Sequence, residues 1–175
     1  MQTGNGLTGK WFIGHHWGVE PDLVTTAKAV GGGFPVSAVV ANAWVAESVK
    51  TGDQGTTFGG GPLAAAAVAA TYRILEEEGI VEKVARISAG VISRLQEMVR
   101  RGWFREVRGL GYLLGVECHR PAKEVQSMLQ AEGVLVGTSY HASTFRLLPP
   151  LTVSEAEWEE FFAAREKLGP ALARA

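Results

Sequence analysis

The residues with the most chemical potential lie between positions 21 and 35. There Pro21-Asp22-Leu23-Val24-Thr25-Thr26-Ala27 leads into Lys28, and Ala29-Val30 leads on to Gly31, Gly32, Gly33, Phe34 and Pro35. Residues 23–27 read as a strand, so Lys28 falls at a strand end with small or apolar neighbours on both sides. A lysine desolvated by such neighbours loses part of its preference for the charged form, and its amine becomes available as a nucleophile. Glycines beside it let backbone approach a ligand closely. The same residues also describe something plainer: a snorkelling lysine at a strand end, followed by a glycine turn.

The surroundings of Lys28 add to this. Upstream stand Gln2-Thr3-Gly4-Asn5-Gly6-Leu7-Thr8-Gly9-Lys10 and Trp17-Gly18-Val19-Glu20-Pro21-Asp22. Downstream stand Gly55-Thr56-Thr57-Phe58-Gly59-Gly60-Gly61-Pro62 and Phe145-Arg146-Leu147-Leu148-Pro149-Pro150. In this order the set resembles the class III aminotransferases, pyridoxal-phosphate enzymes that include acetylornithine and ornithine aminotransferases. The resemblance covers essentially the whole chain, which looks like roughly the last two-fifths of such an enzyme.

The resemblance implies a cofactor, pyridoxal 5'-phosphate, and a role for each matching residue. Lys28 matches the lysine that anchors the cofactor covalently and, once displaced by substrate, moves a proton as general base. Thr57 matches the threonine that reaches across a homodimer to the other subunit's cofactor phosphate, with Thr56 assisting. A hydroxyl among glycine-rich backbone suits an anion, although the stretch also reads as an ordinary polar loop. The family usually has asparagine where Gly61 stands, so this loop is expected to be softer. Gln2 matches a glutamine near the phenolic oxygen of the cofactor. Arg146 matches the arginine that holds a substrate carboxylate. A planar guanidinium can grip a carboxylate through two bonds, which lysine cannot. An isolated arginine in an otherwise apolar segment needs a partner, and an internal acid is the alternative one.

The resemblance also says what is missing. The family's aspartate that pairs with the pyridine nitrogen lies three residues before the glutamine, ahead of Met1. Without that acid the cofactor is a weaker electron sink, so the isolated chain is expected to be inactive or poor. Met1 stands where the family commonly has valine, whose codon can double as a start. The expectation is therefore a start assigned inside a longer gene, with a truncated paralogue or one half of a split enzyme as alternatives. Two functions follow. One is an aminotransferase, here incomplete, moving an amino group from an ω-amine such as N-acetylornithine or ornithine to 2-oxoglutarate. The other is a non-catalytic orphan fragment or assembly partner that retains the dimer surface.

These residues need elements to carry them. Residues 2–9 are a glycine-rich loop, 10–17 a short helix, and 23–27 and 36–41 strands. Asn42 is a candidate N-cap for a helix over 43–50. After a polar loop, Pro62 can open a helix over 63–78, alanine-rich and read as buried, which Gly79 ends. A second long helix over 80–101 carries Val84, Ile87, Val91, Leu95 and Met98 on one face. Residues 107–117 read as a strand pair or one bent strand, 122–132 as an amphipathic helix, and 134–136 and 144–148 as short strands. Ser154, with Glu157 three residues on, predicts a capping box for a helix over 155–168. The expected class is α/β, and by resemblance a partial fold-type I pyridoxal-phosphate-dependent transferase. Residues 1–78 would be a remnant of the large-domain mixed sheet with its connecting helix, and 79–175 the small C-terminal α/β domain.

Composition sets outer bounds. A chain of 175 residues with 46% hydrophobic and 20% charged residues can bury a core, which argues against disorder. A formal net charge of -1 leaves no electrostatic footprint for nucleic acid or an anionic membrane. The single cysteine, Cys118, allows no internal disulfide, fits a reducing compartment and reads as packing. With no signal-peptide pattern visible, the expected location is cytoplasmic. His15, His16, His119 and His141 show no metal-ligand spacing.

Overall fold

The structure, a computed structural model, describes residues 2–169. The chain forms two compact units, the first ending at Val81 and the second beginning at Glu82.

The first unit opens with a glycine-rich loop and a single 3-10 turn, Ile13–His16, after which Gly18 turns the chain in the left-handed region at φ 63°. His16 ties this segment back on itself: its Nε2 lies 3.1 Å from the Thr8 carbonyl and 3.2 Å from the Thr8 hydroxyl. Strands β1 (Leu23–Thr26) and β2 (Ala38–Ala41) pair antiparallel, Thr26 opposite Ala38. Asn42 caps the one-turn helix α1 (Ala43–Ala46), its side chain accepting from the Val45 amide. That helix is half as long as the sequence pattern implies, because the chain leaves helical geometry for the 51–61 loop. Helix α2 (Pro62–Glu77) starts with Pro62 in its first turn, where the missing N–H costs nothing. Contrary to expectation it is not a buried helix: in this chain only Ala64 and Leu75 are buried. Small alanine side chains permit close packing but do not by themselves supply the partner.

The second unit is built on helix α3 (Ile80–Arg100), which follows α2 after Gly79 at φ 56°. Its apolar stripe is buried as the 3.6-residue period requires: Val84, Ile87, Val91, Leu95 and Met98 all lie inside. A four-stranded sheet in the order β3-β4-β6-β5 faces the same core. β3 (Glu106–Leu110) and β4 (Leu113–Glu117) form a tight hairpin. Gly109, at φ 129°, passes so close to the Leu113 carbonyl that no Cβ would fit. β6 (Thr144–Leu147) pairs antiparallel with β4 and β5. The expected strand at 134–136 is not one: Leu135 is 82% exposed, and β5 is the next pair of residues, Gly137–Thr138, which pair with β6. Helix α4 (Ala122–Ala131) buries Val125 and Leu129, and α5 (Glu155–Lys167) buries Trp158, Phe161 and Phe162. Ser154 and Glu157 make the full capping box. Ion pairs Arg86–Glu155 and Arg94–Glu159 join α3 to α5 at the surface. Leu114, Val116, Phe145 and Phe162, each at most 1% exposed, form the centre of this core. Each such side chain contributes roughly 1.5–3 kcal/mol through burial.

One charge lies inside that core. Arg165 is fully buried, its guanidinium 3.7 Å over the ring of Trp103. None of its nitrogens has a hydrogen-bond partner among the described residues. Burial pulls it down to about 10.

Candidate active site

Lys28 follows β1 by two residues and opens a 3-10 turn, Lys28–Gly31. Its backbone sits in the left-handed region at φ 60°, as only Asn5 does among the other described non-glycine residues. A lysine there costs roughly 1–2 kcal/mol, because Cβ crowds the following carbonyl. Such strain persists only when surrounding structure imposes it, and it concentrates at functional sites. The side chain is exposed and makes no hydrogen bond or ion pair among the described residues. The sequence expectation of an amine desolvated by its neighbours is therefore not met within this chain. The small neighbours of Lys28 do not cover it: Ala29 is exposed as well and Ala27 only half-buried.

Two of the three glycines that follow, Gly31 and Gly32, serve the protein's own packing. A Cβ on Gly31 would lie 2.5 Å from Val36 Cγ1, and one on Gly32, itself at φ 60°, would lie 2.8 Å from the Thr71 hydroxyl of α2. Gly33, at φ 106°, has open space where a side chain would be.

The other candidates of the first unit stand apart from Lys28 in the contacts the structure records. Gln2 is exposed, and so is the whole of 51–60. Thr56 turns inward on its loop, its hydroxyl accepting from the Gly59 amide at 3.2 Å. Thr57 makes no such bond. Between Gly55 and Gly60 the Gly59 amide alone donates a hydrogen bond among the described residues, which leaves the other amides of this exposed loop free. The loop then runs straight into α2, whose first turn has no side-chain cap.

In the second unit Arg146 lies on β6 with a glycine opposite it on either side, Gly115 on β4 and Gly137 on β5. A Cβ on Gly137 would sit 3.7 Å from both Nε and Nη2, so the side chain lies over the bare glycine. Nε is closed off and unpartnered among the described residues. No carboxylate pairs with Arg146 among the described residues, so the internal acid left open by the sequence is not found there. Arg146 also borders a cavity of about 370 Å³ lined by Val134, Leu135, Pro149 and Pro150. The neighbouring Arg108 is committed, to Glu106 at 2.6 Å and Glu117 at 3.1 Å.

Sequence reasoning missed a buried polar link in the first unit. Tyr72 Oη donates to Asn5 Oδ1 at 2.8 Å, and Asn5 Nδ2 donates to the Thr26 hydroxyl at 3.3 Å. Asn5 is 2% exposed. Asparagine's tolerance of left-handed backbone is compatible with its position, but no local signal pairs it with a tyrosine on a helix far along the chain.

The first unit thus presents a strained, exposed lysine and a glycine-rich loop with two threonine hydroxyls, and the second unit an arginine with no acid partner among the described residues. The aminotransferase class-III family model matches residues 1–168, and the chain belongs to that family. It is 41% identical over 157 residues to an acetylornithine aminotransferase of Archaeoglobus fulgidus, covering 90% of this chain and 40% of that protein. It is 40% identical over 173 residues to an acetylornithine aminotransferase of Bacillus subtilis, covering 99% of this chain and 44% of that one. Among solved structures, the ornithine delta-aminotransferase of Plasmodium falciparum superposes with a TM-score of 0.89 at 34% identity, over 98% of this chain and 44% of that one. The chain thus spans less than half the length of the relatives it matches. The α/β class and the partial fold-type I architecture expected from sequence agree with these neighbours.

Proposed function

We propose that this chain is the C-terminal part of a pyridoxal-phosphate aminotransferase. It would move an amino group from an ω-amine donor, N-acetylornithine or ornithine, to 2-oxoglutarate. In this reading residues 1–78 are the remnant of the cofactor-binding large domain with its connecting helix, and residues 79–175 are the small C-terminal domain. The observation that carries the reading is Lys28: an unpaired amine at a strand end, on a backbone conformation that costs energy and that the fold nevertheless imposes. Bound pyridoxal phosphate would supply an electron sink for charge developing on the substrate carbon. Lys28 Nζ would hold the group covalently and, when released, carry the proton to and from the reacting carbon. Thr57, with Thr56 and the free amides beside it, would bind the phosphate of a second subunit's cofactor. Gln2 would lie near the ring oxygen. Arg146 would take the substrate carboxylate through Nη1 and Nη2, since its Nε is closed. The assembly is a homodimer and the compartment the cytoplasm in this reading.

A second reading, an assembly partner without turnover, draws support from the exposed apolar side chains of the first unit, Trp44, Phe58 and Leu63 among them. Borohydride trapping separates the two. The chain, alone and joined to the upstream residues of its gene, is mixed with pyridoxal phosphate, reduced and mapped by mass spectrometry. Label on Lys28, absent in Lys28→Ala, is the expected result. Label spread over surface lysines, equally in the variant, would remove the cofactor assignment.

A further inference from the structure

We propose that Tyr72 and Asn5 are positioning residues for Lys28, and that helix α2 is the template that holds the lysine's turn in its left-handed form. The inference rests on reading Lys28 as the reactive lysine. The turn's own bonds at its two ends, Val30 amide to Ala27 carbonyl at 3.5 Å and Gly32 amide to Ala29 carbonyl at 3.1 Å, involve neither the amide nor the carbonyl of Lys28. Its two sides are also gripped by consecutive residues of α2.

On the near side the grip runs through hydrogen bonds. Tyr72 is held by stacking on Trp11, ring centres 5.6 Å apart and planes within 10°. Its hydroxyl donates to Asn5, and Asn5 donates to Thr26, the last residue of β1. Thr26 is buried and stands two residues before Lys28. Asn5 is itself in the left-handed region at φ 56°, so the amide that joins helix to strand is delivered by a second unusual backbone. On the far side the grip is steric. Thr71 is pinned by a 2.8 Å bond from its hydroxyl to the Ala67 carbonyl, and Gly32 lies against it with no room for a Cβ. Val30, 1% exposed, anchors the middle of the turn. Lys28 is therefore fixed between Thr26 and Gly32, both referred to Thr71–Tyr72. A strained residue persists when its surroundings over-determine it, and these are the contacts that do so.

The test uses the 175-residue chain. Tyr72→Phe removes one hydroxyl and leaves the ring to stack on Trp11. Asn5→Gly keeps the backbone conformation accessible and removes both side-chain bonds. The Lys28 φ is followed by NMR, and the borohydride-trapped yield of pyridoxal phosphate at Lys28 by mass spectrometry. Each variant should lower the left-handed population of Lys28 and its labelling rate roughly two- to tenfold, the factor that one hydrogen bond carries. Ser154→Ala, a cap in the other unit, serves as a control that lowers stability without moving either readout. An unchanged Lys28 φ in Tyr72→Phe would overturn the proposal, and that variant decides if Asn5→Gly does not fold. Failure of the wild-type chain to label at Lys28, with φ still moving in the variants, would overturn the cofactor reading and leave the template intact.

Discussion

Lys28 occupies a conformation that glycine adopts freely, and that fact has a measurable counterpart. Replacing it by glycine relieves roughly 1–2 kcal/mol of strain and adds back part of it as unfolded-state entropy, about 0.5–1 kcal/mol. Lys28→Gly should therefore raise the stability of the chain by about 0.5–1 kcal/mol while abolishing cofactor capture, read as a higher urea midpoint at unchanged slope. A lowered midpoint would mean that the lysine's aliphatic stem packs to advantage. Cys118 makes a second prediction at this scale. Unfolded, the thiol ionises near 9; burial pushes the folded thiol up to about 12. Between those values the unfolded chain has given up a proton that the folded chain keeps, so stability present below pH 9 is lost as pH rises toward 12. Cys118→Ala should flatten that part of the stability profile, and the native thiol should resist a thiol reagent that labels the unfolded chain at once. Lys28 and Arg146 stand out in the sequence as charges in apolar settings, whereas Thr57 is marked by the family resemblance alone. The sequence misjudged the amine's surroundings because small neighbouring side chains cannot bury a lysine unless another element covers it, and here Lys28 and Ala29 are both exposed. Asn5 and Tyr72 escaped it because a side-chain bond across 67 positions leaves no periodic trace.

Among the elements, those that carry their own pattern were legible. The five-residue stripe of α3 and the Ser154–Glu157 box predicted two helices with ends within a residue or so of those observed. The β3–β4 hairpin was less definite, one of two readings that the glycines left open. The strand at 134–136 failed for the opposite reason. Three apolar residues made a plausible strand, but the position of β5 is set by register against β6, and register depends on a partner. The α5 cap permits a direct measurement. Ser154→Ala removes an acceptor for the Glu157 amide and one half of the reciprocal box, and should cost about 1 kcal/mol. Ser154→Asn, which can still cap, should restore most of it. Equal losses in both would show that the side chain's own packing matters more than its bond.

Taken whole, the molecule is unevenly finished. The second unit closes its core although it leaves Leu135 and Tyr140 exposed, whereas the first buries few apolar side chains and leaves Val39, Trp44, Phe58 and Leu63 between 65% and 93% exposed. Apolar groups on this scale mark surfaces that bind something. The purified chain should therefore self-associate, with sedimentation above the monomer value that rises with concentration, and Trp44→Ser with Leu63→Ser should reduce it. A monodisperse monomer at high concentration would show that these side chains are tolerated singly. No helix among the described residues is long and apolar enough to cross a membrane.

The alanines of α2 bear on the order of events during folding. Ala65, Ala66 and Ala69 are exposed on a 16-residue helix, and alanine has the highest intrinsic helix propensity. A helix of that length and composition is among the few that persist for a time without tertiary support. Its contacts are local, so it forms within about a microsecond, while the sheet pairings must wait for longer loops to close. On this schedule Tyr72 and Thr71 are in place before β1 and β2 meet, and the lysine's turn condenses against a surface already made. Exposed alanine-to-glycine changes would then slow refolding, in stopped-flow mixing, more than they speed unfolding.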